Sequence, residues 1–230
     1  MRKIYFLSGT MCNEDLWQFV FPKIINYIPE YIDITSASSF EEINAIIDSK
    51  IENKAILIGF SLGGFSALNF ATQHPDKIEK LIIIAASAKG LSEHEIRLRK
   101  NTIAFLKTHN YKGISNTRVK QFLHPENHQN ENFIGIIKKM DTDLGKVVLI
   151  RQLNATSKRI DITKQLKKIT NPVLLIGSKE DALVLHQDIL DLKKELKTSF
   201  LVMLKNCGHM IPIEKPVEIV EIINKYLNPS

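Results

Sequence analysis

Short apolar segments alternate with longer amphipathic segments along most of this chain. Six apolar runs are mostly continuous, which is typical of strands buried on both faces of a parallel sheet. The runs are Ile4–Leu7, Tyr31–Ile34, Ala55–Ile58, Leu81–Ala85, Val173–Ile176 and Phe200–Leu204. Helical spacing of apolar positions separates them at Leu16–Tyr27, Phe40–Ile51, Leu62–His74, Leu183–Leu196 and Pro216–Leu227. The alternation predicts an α/β fold with a doubly wound, mostly parallel sheet of six strands.

One segment, residues 88–168, departs from this alternation because it contains helical patterns and no convincing strand. The helical patterns lie at Glu93–Leu106, Val119–Leu123, Asn132–Lys139 and Leu144–Asn154. An insertion between two core strands reaches the carboxyl edge of the sheet, where the sites of open α/β folds lie. We therefore predict a core formed by residues 1–87 and 169–230, covered by a helical cap at 88–168. A separate helical bundle with a structural role is the alternative.

Length and composition are those of an ordinary globular protein. The 230 residues are 44% hydrophobic and 24% charged, which suits one domain with an insertion. No segment approaches the ~18 consecutive apolar residues of a membrane-spanning helix. Residues 1–7 are expected to form a buried first strand rather than a signal peptide, and two cysteines do not make a disulfide framework. We therefore expect a cytoplasmic protein without a membrane span.

Positive charge is concentrated in the predicted cap. The chain has a formal net charge of +6, yet residues 88–160 alone contain nine lysines and five arginines against six acidic residues. The five arginines of this segment are Arg97, Arg99, Arg118, Arg151 and Arg159. A solvated helical surface explains such a bias, and so does an anionic substrate or an acidic protein partner. The sequence has no nucleic-acid-binding motif, so we expect no nucleic acid partner.

The strand at Ala55–Ile58 leads directly into a G-x-S-x-G motif at residues 59–63, and a helical pattern of small residues follows. A serine in such a strand-to-helix turn is held in a strained, exposed position at the end of a sheet, where a nucleophile is needed. Gly59 and Gly63 lack a Cβ, so the strand and the helix can approach closely enough to close the turn. We predict that Ser61 is a catalytic nucleophile.

A serine hydroxyl needs a general base, and the base needs a carboxylate to orient it. His209 follows the last predicted strand and precedes the last helix, which places it on a loop at the carboxyl edge, facing Ser61. Asp181 follows the strand at Val173–Ile176 and is the candidate acid. The neighbouring Glu180 is the alternative, and either acid could instead cap the helix that follows. The chain order of serine, acid and histidine is that of one known fold class.

Acyl transfer also needs hydrogen-bond donors for the developing oxyanion. The backbone N–H of Leu62, at the start of the helix that follows Ser61, is one predicted donor. The N–H of Thr10, in the loop after the first strand, is the other, because Gly9 lets the backbone turn its next amide inward. Met11 is the alternative to Thr10.

The other residues that often carry chemistry indicate no metal and no cofactor. The sequence has no cluster of His, Cys and Asp with the spacing of metal ligands, and no glycine motif for a phosphate or a dinucleotide. Cys12 and Cys207 flank the two loops of the candidate site. Neither cysteine has a base or a turn of its own, so we expect inert or redox-sensitive thiols.

These motifs resemble those of the α/β-hydrolases across nearly the whole chain. The resemblance rests on the nucleophile elbow at 59–64, on Asp181 after the penultimate core strand, and on a G-H-x-x-P-x-E-x-P sequence at 208–216. The family implies a helical cap and two backbone oxyanion donors. In two departures, Ser8 takes the place of the usual histidine before Gly9, and the usual first two antiparallel strands are missing. A reduced six-stranded sheet of order 2-1-3-4-5-6 is expected.

The resemblance implies a serine hydrolase that cleaves a carboxylic ester or thioester of a small substrate through an acyl-enzyme intermediate. The compact size and basic cap are also similar to carboxylesterases that demethylate pimeloyl groups on acyl carrier protein, in which cap arginines meet the acidic carrier. By that similarity, Arg97 and Arg99 would bind the substrate or its carrier. A non-catalytic ligand-binding module on the same fold is the alternative from another class, although all three triad positions are filled.

Overall fold

The computed structural model describes residues 1–228 and contains one six-stranded sheet with helices packed on both faces. The strands are β1 (Arg2–Leu7), β2 (Tyr27–Tyr31), β3 (Ala55–Phe60), β4 (Ile78–Ile84), β5 (Val173–Ser178) and β6 (Ser199–Leu204). The helices are α1 (Phe40–Lys50), α2 (Leu62–Gln73), α3 (Glu93–Thr108), α4 (Asn116–Phe122), α5 (Glu131–Ser157), α6 (His186–Glu195), α7 (Ile211–Glu214) and α8 (Pro216–Leu227). Neighbouring strands are parallel in the order β2-β1-β3-β4-β5-β6, which confirms the predicted α/β class and strand order.

Alternate residues of the central strands enter two separate apolar clusters, one on each face of the sheet. On β3, Ile56 and Ile58 pack in the cluster that includes Trp17 and the buried face of α8. Leu57 packs in the other cluster, against α1 and α2. Every residue of β3 is buried. Because burying one aliphatic side chain contributes roughly 1.5–3 kcal/mol, this strand is held firmly at the centre of the sheet, and so is the turn at its end.

The helix predicted at Leu16–Tyr27 is wrong. Two short 3-10 helices, Glu14–Trp17 and Phe21–Lys23, occupy this part of the chain instead. Pro22 lies in the first turn of the second one, and proline can neither donate a backbone hydrogen bond nor sit in the interior of a helix without a clash. The apolar spacing that suggested one continuous helix therefore reflects burial of separate short turns.

The second strand is displaced from the segment in which it was predicted. The prediction was Tyr31–Ile34, whereas β2 ends at Tyr31 and contains Pro29. β2 is an edge strand beside β1, and an edge tolerates proline because one side of the strand makes no ladder bonds. The N–H of Ile32 still donates to the carbonyl oxygen of Phe6 on β1 at 2.9 Å, so pairing reaches one residue beyond β2, whereas Ile34 is buried past the last paired residue.

Between β4 and β5 the chain forms α3, α4 and α5, with no strand among the residues described there. The two helical patterns predicted near the end of this segment correspond to the two parts of α5, which is broken at Gly145, where a φ of 67° and a ψ of −175° are not helical. The backbone N–H of Met11, in the loop after β1, donates to Oε1 of Gln152 on α5 at 2.8 Å. This helical segment therefore lies against the carboxyl edge of the sheet. No helix within residues 1–228 has both the length and the apolar character that crossing a membrane requires.

Candidate active site

Ser61 occupies the turn between β3 and α2 with a φ of 52° and a ψ of −112°. A left-handed φ is strained for a residue with a side chain, and a hydrogen bond from the Ser61 N–H to the Ile84 carbonyl at 2.9 Å helps to hold it. A Cβ on Gly59 would lie 2.4 Å from the carbonyl oxygen of Gly63, and one on Gly63 would lie 2.3 Å from the carbonyl oxygen of Leu7. The close approach predicted at both glycines is confirmed, and it leaves Ser61 half-buried at the sheet edge.

The structure brings His209 and Asp181 together with Ser61. Nδ1 of His209 lies 2.8 Å from Oδ2 of Asp181, and Nε2 lies 3.0 Å from Oγ of Ser61. Both His209 and Asp181 are buried. An ionised carboxylate only accepts hydrogen bonds, so the Nδ1 proton faces Asp181 and Nε2 keeps its lone pair for the serine hydroxyl. This arrangement can take the proton of Ser61 as its oxygen attacks.

Asp181 is held by the backbone that follows it. Its Oδ1 accepts hydrogen bonds from the N–H groups of Leu183 at 2.7 Å and of Val184 at 3.0 Å, which leaves Oδ2 to His209. Glu180 is exposed, and its carboxylate accepts instead from the hydroxyl of Ser178 at 3.3 Å. Of the two candidate acids, the structure therefore places Asp181 and not Glu180 against the imidazole.

The loop after β1 lies directly beside the nucleophile. A Cβ on Gly9 would come within 3.2 Å of Cβ of Ser61. The Met11 N–H is already bound to a side chain of α5. By contrast, within residues 1–228 the N–H groups of Thr10 and Leu62 donate to no other group of the chain. Of the two amides considered in this loop, that of Thr10 is therefore the one left available beside Leu62.

Ser8, which stands where the α/β-hydrolases usually have histidine, orders the same loop. Its side chain is buried. Nε1 of Trp17 donates to Ser8 Oγ at 3.0 Å, and this Oγ donates to the carbonyl oxygen of Asn13 at 2.9 Å. The Ser8 hydroxyl thus connects the start of the loop to its end. The loop therefore keeps a stabilising contact at the position where the family usually has histidine.

The backbone around His209 is bonded to the end of α4. The N–H groups of His209 and Met210 both donate to the carbonyl oxygen of Phe122, at 2.8 and 3.2 Å. The imidazole ring also packs against the rings of Phe60 and Phe122, with centroids 5.0 and 6.4 Å away. The helical segment between β4 and β5 therefore helps to fix the position of the imidazole.

Glu214 adds a second link between these two segments, and no role for it was predicted from the sequence. This carboxylate is 8% exposed. Its Oε1 accepts from the N–H of Gly208 at 2.9 Å, and its Oε2 accepts from the N–H of His124 at 2.8 Å and from Nδ2 of Asn127 at 2.7 Å. A lone acid inside the apolar, proline-bounded stretch at 208–216 was the available signal, because such an acid must be buried with hydrogen-bond partners.

Neither cysteine has the character of a nucleophile. Both are buried. Burial raises the pKa of Cys12 to about 12, and burial followed by the nearby charge of Glu214 raises the pKa of Cys207 still further. Both thiols stay protonated at neutral pH, when only a thiolate would react. No group of acids, histidines and cysteines within residues 1–228 is arranged to hold a metal ion.

The two arginines singled out on α3 leave the helix in different directions. Arg97 is exposed and forms an ion pair with Glu93, with a nitrogen–oxygen distance of 3.5 Å. Arg99 is half-buried, and its Nη1 donates to the hydroxyl of Thr156 on α5. The structure therefore does not bring Arg97 and Arg99 together in one contact surface.

The chain is similar to known proteins over most of its length. Residues 35–216 match the Hydrolase_4 family, described as serine aminopeptidase, S33. The pimeloyl-[acyl-carrier protein] methyl ester esterase of Neisseria meningitidis serogroup A is 28% identical, over 91% of this chain and 71% of its own length. The protein of the same name from Wigglesworthia glossinidia brevipalpis is 26% identical, over 97% of this chain and 93% of its own length. A thermophilic esterase from Thermogutta terrifontis superposes with a TM-score of 0.88 at 16% identity, covering 99% of this chain and 89% of that one. The chain belongs to the Hydrolase_4 family and is an ester hydrolase with the α/β-hydrolase fold.

Proposed function

We propose that this ester hydrolase cleaves a carboxylic ester or thioester through an acyl-enzyme intermediate on Ser61. The observation that carries the proposal is the hydrogen-bonded series from Ser61 through His209 to Asp181. Oγ of Ser61 attacks the carbonyl carbon while Nε2 of His209 takes the hydroxyl proton. The N–H groups of Leu62 and Thr10 bind the oxyanion of the tetrahedral intermediate. His209 then gives its proton to the departing alcohol or thiol, and the acyl group stays on Ser61.

Hydrolysis of the acyl-enzyme repeats these steps with water. His209 takes a proton from the water as its oxygen attacks the acyl carbon, and then returns the proton to Oγ of Ser61. The carboxylic acid leaves and the free serine is restored. Asp181 stays ionised throughout, keeps the imidazole in the required tautomer and stabilises the imidazolium. Each partner in the cycle is already within hydrogen-bonding distance of the next.

We further propose that residues 88–168 act as a cap on a core formed by residues 1–87 and 169–230. The support is the set of hydrogen bonds that join this segment to the two loops of the site. They run from Met11 to Gln152 and from His209 to Phe122. A cap held in this way would shape the space in which the acyl group lies.

The test of the proposed reaction is the intact mass of the protein after treatment with a fluorophosphonate, which labels activated serines. Wild type should gain a single adduct, Ser61→Ala should gain none, and Ser49→Ala, which alters an exposed serine on α1, should behave as wild type. Hydrolysis of a small neutral ester should be lost in Ser61→Ala and in His209→Ala. Undiminished turnover by purified Ser61→Ala would end the proposal. The absence of an adduct on folded wild type would favour the non-catalytic ligand-binding module.

A second candidate substrate is an acyl methyl ester carried on an acidic acyl carrier protein. The observation that favours it is that relatives bearing this activity in their name align over 91% and 97% of the chain. The exposed Arg97 is available to such a partner. Arg97→Glu should weaken turnover of a carrier-linked ester, more so at low salt, and spare a small neutral ester. An equal response of the two substrates would exclude the carrier hypothesis.

A further inference from the structure

Three arginines of the helical segment between β4 and β5 gather near the nucleophile: Arg99, Arg118 and Arg159. Cζ of Arg159 lies 4.1 Å from the centroid of the Phe65 ring, and its Nη2 donates to the carbonyl oxygen of Ser87 at 2.7 Å. Phe65 is one turn after Ser61 on α2, and its N–H donates to the Ser61 carbonyl at 3.0 Å. Ser87 follows β4, which neighbours β3. Arg159 therefore lies at the sheet edge that carries the nucleophile.

Arg118 lies on the histidine side of the site, and Arg99 contacts Thr156, three residues before Arg159 on the chain. Cζ of Arg118 is 4.9 Å from the centroid of the Phe122 ring, and that ring packs against His209. Burial lowers the pKa of Arg99, the charge of Glu95 opposes this, and the charge of Arg118 adds a smaller lowering. Burial likewise lowers the pKa of Arg159 to about 10, and the charge of Arg99 adds to this effect. Arg99 thus lies within electrostatic reach of both other guanidinium groups; Arg99 and Arg159 are half-buried, whereas Arg118 is exposed.

The chain does not pair these three charges with carboxylates. Among residues 1–228, the ion pairs made by arginines within 4.0 Å are those of Arg2 and Arg97. Nε of Arg159 is also buried and has no hydrogen-bond partner in this described part of the chain. Partly buried guanidinium groups are unfavourable unless an anion shares their hydrogen bonds. The cluster is therefore suited to receiving an anion from outside the chain.

Nearby acidic residues limit the negative charge that a ligand of the three arginines should carry. Glu95, Asp188 and Asp161 are close enough to raise the pKa of Arg159 against the larger effect of burial. Glu95 itself is engaged elsewhere, because its Oε2 accepts from the N–H and the hydroxyl of Ser92 at 2.8 and 2.7 Å. The three positive charges are thus partly compensated, although within residues 1–228 no carboxylate forms an ion pair with them. A single negative charge fits this balance better than a phosphate dianion.

We propose that Arg99, Arg118 and Arg159 form a subsite for a carboxylate carried by the substrate, remote from the ester bond that is cleaved. The substrate class is the half-esters of dicarboxylic acids, in which one end is an ester and the other a free carboxylate. The planar guanidinium fork binds a carboxylate through two parallel hydrogen bonds, which are stronger than those between neutral groups. This inference rests on the proposed function, since the ester end must reach Ser61.

The experiment compares kcat/KM for methyl half-esters of dicarboxylic acids with kcat/KM for methyl alkanoates of the same chain length, by methanol release. The proteins are wild type, Arg118→Gln, Arg159→Gln and Lys100→Gln, which removes an exposed charge from α3. Wild type should prefer the half-ester. The preference should fall about 10- to 100-fold in each arginine variant, which is the scale of one charge-assisted hydrogen bond, and persist in Lys100→Gln. An unchanged preference in both arginine variants would overturn the proposal, as would a wild-type preference for neutral or phosphate-bearing esters.

If Arg159→Gln does not fold, comparing the half-ester preference of wild type with that of Arg118→Gln still tests the proposal. Free dicarboxylates should inhibit wild type competitively, less strongly as salt rises, and alkanoates of equal length should not. The subsite proposal and the esterase proposal can also be refuted separately. If no ester is cleaved but a dicarboxylate raises the Tm of wild type more than that of Arg118→Gln, the subsite stands and the esterase proposal falls. If neutral esters are cleaved at Ser61 and neither arginine variant changes the preference for half-esters, the subsite proposal alone is refuted.

Discussion

Replacing Asp181 by asparagine tests the proposed triad through the tautomer of His209. In the wild type, Oδ1 of Asp181 accepts two backbone hydrogen bonds, at 2.7 and 3.0 Å, and Oδ2 faces Nδ1 of His209. An asparagine must keep its carbonyl oxygen toward the two N–H groups, because turning the amide round would sacrifice both bonds, at roughly 1–3 kcal/mol for each donor left unsatisfied. Its NH₂ group is therefore forced against the imidazole.

The consequence for the nucleophile follows from the donors and acceptors of imidazole. Facing an NH₂ donor, Nδ1 of His209 must become the acceptor, so the ring proton moves to Nε2, which lies 3.0 Å from Oγ of Ser61. A protonated Nε2 cannot take the serine proton. We expect kcat of Asp181→Asn to fall by about 10³- to 10⁴-fold, the scale on which the same exchange acts in the chymotrypsin-type triad, or about 4–5.5 kcal/mol of barrier.

The assay is steady-state hydrolysis of a neutral ester together with the rate of fluorophosphonate labelling at Ser61. Both rates should fall in Asp181→Asn, while circular dichroism and the Tm report whether the fold is retained. Glu180→Gln is the matched control, because Glu180 is exposed and turned away from the imidazole. A folded Asp181→Asn enzyme that keeps more than about a tenth of wild-type kcat would refute the tautomer argument. An equal loss in Glu180→Gln would refute the choice of acid.

Three further predictions concern residues around the site, and Gly135→Ala is the control for the first of them. Gly63→Ala should cost about 3 kcal/mol of stability or more in urea denaturation, because its Cβ would lie 2.3 Å from the Leu7 carbonyl oxygen. Gly135→Ala, with no neighbouring atom within 4 Å of the new Cβ, should be neutral or stabilising by about 0.5–1 kcal/mol. Glu214→Gln should lower kcat about tenfold, with a smaller change in KM, because an amide NH₂ would face backbone donors that the carboxylate now accepts from; an unchanged kcat would contradict a positioning role. Burial raises the pKa of Cys12 from 9.0 to about 12, so the unfolded chain loses this proton first and the free energy of unfolding should fall as pH rises across that interval. Cys12→Ala should flatten that part of the stability profile, and a profile that keeps its slope would contradict the assignment.

The nucleophile turn could be predicted from the sequence because its causes are local. Gly59 and Gly63 are needed for the approach of adjacent segments, and the buried strand and the helix that flank Ser61 are continuous in the chain. The position of His209 followed from a general property of parallel sheets, whose loops at the carboxyl ends of the strands share one edge. Chain order and strand polarity were therefore sufficient to bring these groups near one another.

The remainder of the site depends on partners that are distant in sequence. The choice between the amides of Thr10 and Met11 turns on Gln152, which is 141 residues from Met11. The role of Glu214 depends on backbone donors near His124, 90 residues away. Periodicity reports which positions are buried, but it does not identify the group against which each one is buried. The displaced second strand, with Ile34 buried beyond the end of its pairing with β1, has the same cause.

The separation of 148 residues between Ser61 and His209 has a consequence for the protein while it is being made. The turn around Ser61 needs residues only as far as Ile84, whereas His209 emerges after the last strand of the sheet. Synthesis delivers the amino-terminal part first. A nascent chain, or one cut before β6, therefore lacks the general base, and its Ser61 is chemically ordinary. Ser61 can become reactive only after the segment that contains His209 has been synthesised, so an incomplete chain is inactive.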